Sequence, residues 1–516
     1  MHAASTRQTA AVAALLATLF ASPSARALDG EVTSDTAAQF YDLRSPTGET
    51  ILTRRRLTST LGLSAYNLID SPMGDPKAPD LSLRLRLRYD ADYGGSAAET
   101  DSNFTNSVIP GLSQGTVDLM YAYVEGRRFF GGLVGFKVGR QYVTDVLGWW
   151  SFDGGQVSLT TPYFVKAELY GGLEQRGGLT LSSSRFGGDG VWRGDRTNYP
   201  TTLYPAFQQA DVAPAIGVAL ESTGFTWIHG RLTYRRVYNT GSSNVTEFQS
   251  GLYAPASYDG MRISSDRLGY AVDGNWSKIG GAKAGIVYDL YRSEVTSGYA
   301  SVDAYIGPKV TLSADYDYYV PAFDGDSIWN FFAGEPRNDA GLRANVNVDD
   351  RLSLAGNAHA RMFTVQTAPF NPGGQFYVPS TNYVASAGGA SATYYPSNGH
   401  PFDEGGNLSA RWRTGETRLG LNGSGDFGDE GDRVGADASG EHVFDTRYVV
   451  GGRAGVWQWK DNLRPDRDTT SFSYVAGLGY RFAPRSQGSI EWEHDINGLV
   501  GLRFRLMLSL SLGLTK

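Results

Sequence analysis

Six histidines, no cysteine and a scatter of carboxylates and arginines are what this chain offers for chemistry. The histidines stand at His2, His229, His359, His400, His442 and His494, and no two fall at the spacing that sets metal ligands side by side. Without cysteine, neither a disulfide scaffold nor a thiolate metal or haem site can form. No G-x-S-x-G elbow, phosphate loop or dinucleotide fingerprint occurs. Nothing sets a nucleophile beside a base, so the expectation is a protein that is not an enzyme and holds no cofactor and no metal. One acidic stretch, 426–437, could offer Asp426, Asp429, Glu430 and Asp432 to calcium. Its spacing departs from that of calcium loops, and a solvated hairpin loop is the better reading.

The chemistry that remains is charge held in register. In LSLRLRLRYDADY, residues 81–93, Arg84, Arg86 and Arg88 alternate with leucine, and Asp90 and Asp92 continue their phase. Arg231, Arg235, Arg343, Arg361, Arg411, Arg413, Arg453 and Arg481 take the polar phase of other alternating segments, as do Asp273, Asp289, Asp303, Asp315 and Asp317. Rows of arginine along a water-filled path select anions. Arg84, Arg86, Arg88, Arg231, Arg235, Arg411 and Arg413 are therefore candidates for a substrate path; the competing reading is that they pair with carboxylates. The C-terminal hairpin illustrates such pairing. Keeping Trp492 and Phe504 on one face calls for a three-residue loop, 497–499. That register sets Glu493 opposite Arg503 and Glu491 opposite Arg505, and predicts both pairs to be structural.

The elements that must position these charges are strands. In the last sixteen residues, GLRFRLMLSLSLGLTK, every second residue is apolar, the period at which side chains leave opposite faces of a pleat. The same pattern recurs from residue 57 to the C-terminus. Connectors are of two kinds, tight (307–309, 349–350, 414–417) and long (94–116, 172–214, 239–266, 320–338, 364–405), and from the third strand on they are expected to alternate. A β-sandwich has no reason to sort its loops in this way. An outer-membrane barrel has short periplasmic turns on one rim and long extracellular loops on the other. The expectation is an all-β, transmembrane, antiparallel up-and-down barrel of about 22 strands (range 18–22), with both termini on the short-turn side.

Composition agrees. Glycine makes up 65 of 516 residues, about 13 % against roughly 7 % in ordinary chains. Aromatic residues reach 12 % and cluster near strand ends (Tyr89/Tyr93, Trp149/Trp150, Tyr316/Tyr318, Trp457/Trp459), where an interfacial girdle would stand. Net charge is −7, with no basic tail, which speaks against nucleic acid as a partner. At the N-terminus Arg7 precedes the apolar run at 10–20, followed by Ala25-Arg26-Ala27. This reads as a signal peptide, 1–27, leaving 28–516 as the barrel, with lipid of a Gram-negative outer membrane as its first partner.

The stretch GRQYVTDVLGWWSFDGGQV, with Gly139-Arg140-Gln141 and Phe152-Asp153-Gly154, resembles the paired GRQ and FDG elements of alginate-export-type outer-membrane barrels. The order of an early strand, an Arg-bearing strand and an AYVEG strand at 122–126 is similar too, over roughly 29–172. The resemblance implies an arginine-lined pore, Arg140 included, that exports an anionic exopolysaccharide, with periplasmic export-machinery proteins as possible partners. Two alternatives stand beside it. One is a general or small-solute porin; the other is a structural sheath for a partner such as a multihaem electron-transfer protein.

Overall fold

A computed structural model describes residues 29–69, 75, 77–94, 116–175, 213–240, 247–249, 252–254, 261–320, 336–363, 383–384, 392–393, 402–428, 431–462 and 465–515. The expected signal peptide lies outside the described residues. The first strands are β1 (Asp29–Arg44), β2 (Thr50–Tyr66), β3 (Asp80–Asp92), β4 (Thr116–Arg128), β5 (Val134–Asp145), β6 (Gly148–Thr160), β7 (Val165–Glu174) and β8 (Pro214–Ser222). Next come β9 (Ile228–Asn239), β10 (Arg262–Trp276), β11 (Gly280–Asp289), β12 (Glu294–Ile306), β13 (Val310–Tyr319), β14 (Arg337–Asn347) and β15 (Leu352–Phe363). The last are β16 (Phe402–Thr414), β17 (Thr417–Gly428), β18 (Gly431–Phe444), β19 (Tyr448–Asp461), β20 (Thr469–Ala483), β21 (Ser486–Asn497) and β22 (Gly501–Thr515).

These 22 strands form one sheet in which each pairs antiparallel with its neighbours in the chain. β22 returns to β1 in a continuous register from Arg44 against Leu502 to Glu31 against Thr515. Closure leaves no free edge, and the strands satisfy their backbone groups against both neighbours along most of their length, β4–β5 pairing being confined to 122–126 against 136–140. Such closure is the condition for crossing hydrocarbon without helices. The shortest strand has 9 residues and the longest 17, enough for a tilted strand to span a bilayer. No described helix is long and apolar enough to cross a membrane.

The period-two pattern now has a direction. Leu502 to Leu514 face outward beside Val32, Ala38 and Phe40 of β1. Across the wall, Val302, Leu342, Leu408 and Leu421 are 57, 66, 75 and 62 % exposed. An apolar belt this extensive has no stable contact with water and is the lipid face. The protein is an outer-membrane β-barrel, and the leucine side of the C-terminal strand lies against lipid.

All five long connections leave from one rim, at 93–115, 175–213, 240–261, 320–336 and 364–401. The other rim carries the termini and short turns, 67–79 being its longest segment. Strict alternation does not hold, however. The long-loop rim also has tight connections at 146–147, 290–293, 429–430 and 498–500. The wall alone dictates that alternate connections share a rim, not that each must be long.

Candidate functional site

The inward face of β3 carries the arginine ladder, and its partners grade along the strand. At the long-loop end Asp90 and Asp92 are buried and engaged. Arg56 donates to both oxygens of Asp90 at 2.9 and 2.6 Å, and Arg54 donates to Asp92 at 2.8 Å. Arg88 also contacts Asp90. Arg86, one rung lower, reaches past Thr60 (2.9 Å) to the half-exposed carboxylate of Asp35 on β1 at 2.8 Å. Arg84, the rung nearest the short-turn rim, makes no ion pair among the described residues, the neighbouring Glu125 being paired with Arg127 and Lys137. Its guanidinium lies over the Tyr66 ring, 5.6 Å from the centroid. Only part of the ladder is neutralised, and that part is the upper one.

Two strands along from β3, the upper half of the β5–β6 hairpin leaves the wall and lies on the inner face of the strands that follow. The paired part of β5 with β4 stops at Arg140 against Ala122. Gly139 sits there with φ +127°, where a Cβ would fall 2.2 Å from the Ala122 carbonyl oxygen, so only glycine allows the bend. Gly154, its partner on β6, similarly lies against the backbone of Gly171 and Gly172. Beyond this hinge the hairpin tip crosses to β9 and β10. A Cβ at Gly269 would meet the side chains of Val146 and Leu147 at 2.5 and 2.7 Å. Arg235 of β9 donates to the Leu147 carbonyl at 3.2 Å and lies 5.1 Å from the Trp150 ring centroid.

The interface so formed is the principal apolar core of the described residues. Val143, Trp150 and Phe152 of the hairpin bury against Tyr170, Ala213, Ala215 and Val237. Trp150 stacks on Phe152 at 4.3 Å, and its indole N–H donates to Glu174 at 2.8 Å. The ring thus buries its apolar area while its one polar atom keeps a partner. The lumen is narrowed on this side by a hairpin fixed at its base and along its face.

The other proposed path residues take distinct places. Arg140 is forked on Asp153 at 2.7 and 2.8 Å and donates to the Leu119 carbonyl at 3.0 Å, all at the hinge. Arg231 is locked between Glu168 (2.6 Å) and Glu221 (2.7 Å). Lys166 and His229 complete that cluster, Lys166 at 2.7 Å from Glu168 and His229 at 3.1 Å from Glu221. Arg235 is buried beneath the hairpin. Arg411 and Arg413 of β16 stay exposed to the lumen near the short-turn rim, with no carboxylate in ion-pairing range among the described residues. The structure therefore does not gather the candidates into one ring. It divides them into engaged arginines, Arg86 and Arg88 on the ladder and Arg140, Arg231 and Arg235 around the hairpin, and open ones at Arg84, Arg411 and Arg413.

The C-terminal hairpin differs in register from expectation. Its three-residue loop is 498–500, and Asn497 faces Gly501. Glu493 lies opposite Arg505 and Asp495 opposite Arg503, while Glu491 faces Met507. Arg503 still bonds Glu493 at 2.7 Å, diagonally, and also contacts Asp495; Arg505 contacts Glu493. Both registers keep the aromatics outward, because a shift of two residues preserves the face of every side chain. The choice is made by the Asn497 side chain, whose Oδ1 accepts from the N–H of Leu499 (2.8 Å) and Val500 (3.1 Å).

At 426–437, Asp426 lies on β17, 3.3 Å from His359, and Asp432 on β18, 3.8 Å from Lys460. Asp429 and Glu430 lie outside the described residues. Among the described residues no group of three potential ligands could hold a metal. Trp150, expected in an interfacial girdle, is instead buried in this core with Phe152 of the FDG element, because the hairpin folds inward; Tyr170 was not singled out from the sequence.

No family model matches the chain, and no curated protein matches it. Among solved structures it is similar to the outer membrane protein OpdK from Pseudomonas aeruginosa, at 10 % identity over 95 % of this chain and 99 % of that one, with a TM-score of 0.40. It is similar to OccAB4 from Acinetobacter baumannii at 7 % identity over 96 and 100 % of the two chains, TM-score 0.40. A third likeness is to OccK7 (OpdD) from Pseudomonas aeruginosa, at 10 % identity over 95 and 99 %, TM-score 0.39.

Proposed function

We propose that this barrel is a passive channel for small anionic solutes. The observation that carries the reading is the uneven neutralisation of the inner wall. Arg84, Arg411 and Arg413 face the lumen without an ion pair among the described residues, whereas Asp90 and Asp92 are engaged by Arg56 and Arg54. An anion meets guanidinium groups that are free to bind it and carboxylates that are already engaged, a wall able to attract and still release.

Export of an anionic polysaccharide draws on the same arginines and is the second reading. The hairpin that narrows the lumen favours small solutes over a polymer. It also occupies space that a sheath would have to give to a second protein.

The test is charge reversal at the open rung. Arg88 is unsuitable, since an acid there would face buried Asp90. Arg84→Glu combined with Arg86→Gln leaves those buried acids paired. In planar bilayers the reversal potential is expected to move from anion toward cation selectivity, and liposome swelling with small carboxylates should slow several-fold. An assembled variant with unchanged selectivity would refute the ladder's role.

A further inference from the structure

Farther round the wall from the ladder, near the short-turn rim, β16–β21 hold a recess of about 830 Å³. Its floor is made of glycines. Gly451 faces Gly477 across β19 and β20, with Gly420 and Gly479 on the same inward face. None of the four has the left-handed backbone that requires glycine. A Cβ would find room as well: the nearest atoms are 3.5 Å away at Gly477 and 3.4 Å at Gly479 and Gly451, and at Gly420 the rotatable Ser439 hydroxyl. Glycine weakens a strand, and in a strand interior it marks places where something approaches the backbone closely. Here neither conformation nor packing calls for it. What the missing side chains create is the hollow.

The rim of that hollow is basic, at a cost to the sheet. Arg413 and Arg418 stand directly opposite each other on β16 and β17, and like charges so placed repel. Glu441 at 3.3 Å relieves Arg418 and Asp437 at 3.0 Å engages Arg453. No carboxylate in ion-pairing range relieves Arg411, Arg413 or Arg481 among the described residues. Glu491, facing Gly477, makes no ion pair among them either, leaving a carboxylate on the same rim. Arg481 is five strands from Arg84, about 24 Å around the wall at roughly 4.8 Å per strand.

We propose that this recess is a second, separate binding site, for a small polyhydroxylated solute carrying two or more carboxylate or phosphate groups. The unpaired guanidiniums take the oxyanions, planar forks suited to both groups. Glu491 accepts from hydroxyls, and the glycine floor lets the body of the solute lie against the wall. The site rests on the channel reading but not on the ladder.

The test uses the full barrel in planar bilayers, with glucarate, glucose 1,6-bisphosphate or neutral glucitol added on the short-turn side. Both anions are expected to block single-channel current and glucitol is not. Block by one anion alone also supports the site and assigns its oxyanion. The half-blocking concentration should rise at least tenfold in Arg411→Gln/Arg413→Gln. It should rise similarly in Gly451→Leu/Gly477→Leu, which fills the recess and keeps every charge. Barrel assembly is checked by heat-modifiable gel mobility, and if the leucine variant does not assemble the arginine variant decides. Unchanged block in the assembled arginine variant overturns the site, as does absence of block by either anion in the parent. If Arg84→Glu/Arg86→Gln leaves selectivity unchanged while recess block persists, the ladder reading falls and the recess stands.

Discussion

Arg84 and Leu85 are neighbours in the chain and belong to different solvents. That division, repeated at each strand residue, was legible because the side-chain period of a strand is two and lipid tolerates charge poorly. It makes a sharp prediction at the C-terminal strand. Leu508 faces outward against Ala38 and Ile490, while Ser509 faces the lumen, 2.6 Å from Ser489 Oγ. Leu508→Arg places a cation in the lipid band at a cost of about 2–4 kcal/mol, and folding yield in detergent or lipid should drop accordingly. Ser509→Arg enters water and should assemble like the parent. Equal yields would reverse the assigned faces. Partner choice was less legible at this scale: Glu491 and Arg505 share a face but not a register, since pairing turned on the Asn497 cap rather than on the alternation.

Elements were read correctly as strands but not always as wall. β5 and β6 alternate like any other pair, and nothing in the period says that their upper half folds inward. The reason is tertiary: two glycines permit the bend, the aromatic face of the hairpin finds small Ala213 and Ala215, and its tip finds Gly269 on β10. Trp150 is the anchor, 1 % exposed. Trp150→Ala removes its stacking, its bond to Glu174 and its contact with Arg235, for a local loss of about 3–5 kcal/mol. The barrel closure does not depend on that contact, so assembly should persist. Conductance is expected to rise and become noisier as the hairpin lifts. Conductance equal to the parent would mean that the hairpin does not limit the path. Within the GRQ and FDG elements, Arg140 and Asp153 hold the hinge together, a structural use of an arginine that the resemblance assigns to the pore.

At the scale of the whole molecule, what the sequence made legible was closure and sidedness, because both follow from counting. An even number of strands returns the chain to its starting rim, and the five long connections share the opposite one. The course of the long connections was not legible, since loop paths are set by contacts that no periodicity encodes. The sidedness itself can be tested without knowing those paths. Ser183, Ser242 and Ser380 lie outside the described residues, but the strands that flank them end on the long-loop rim. Lys309 lies in the turn 307–309 on the other rim, its ammonium donating to the Val348 carbonyl at 2.8 Å. Long loops on the extracellular side and short turns on the periplasmic side are the arrangement of outer-membrane barrels. Epitope tags at the three serines should therefore be labelled by antibody on intact cells. A tag replacing Lys309 should be labelled only after the outer membrane is permeabilised. Labelling of Lys309 on intact cells, with the serine tags silent, would invert the barrel, place the open rungs Arg84, Arg411 and Arg413 at the outer mouth, and require the recess to fill from outside.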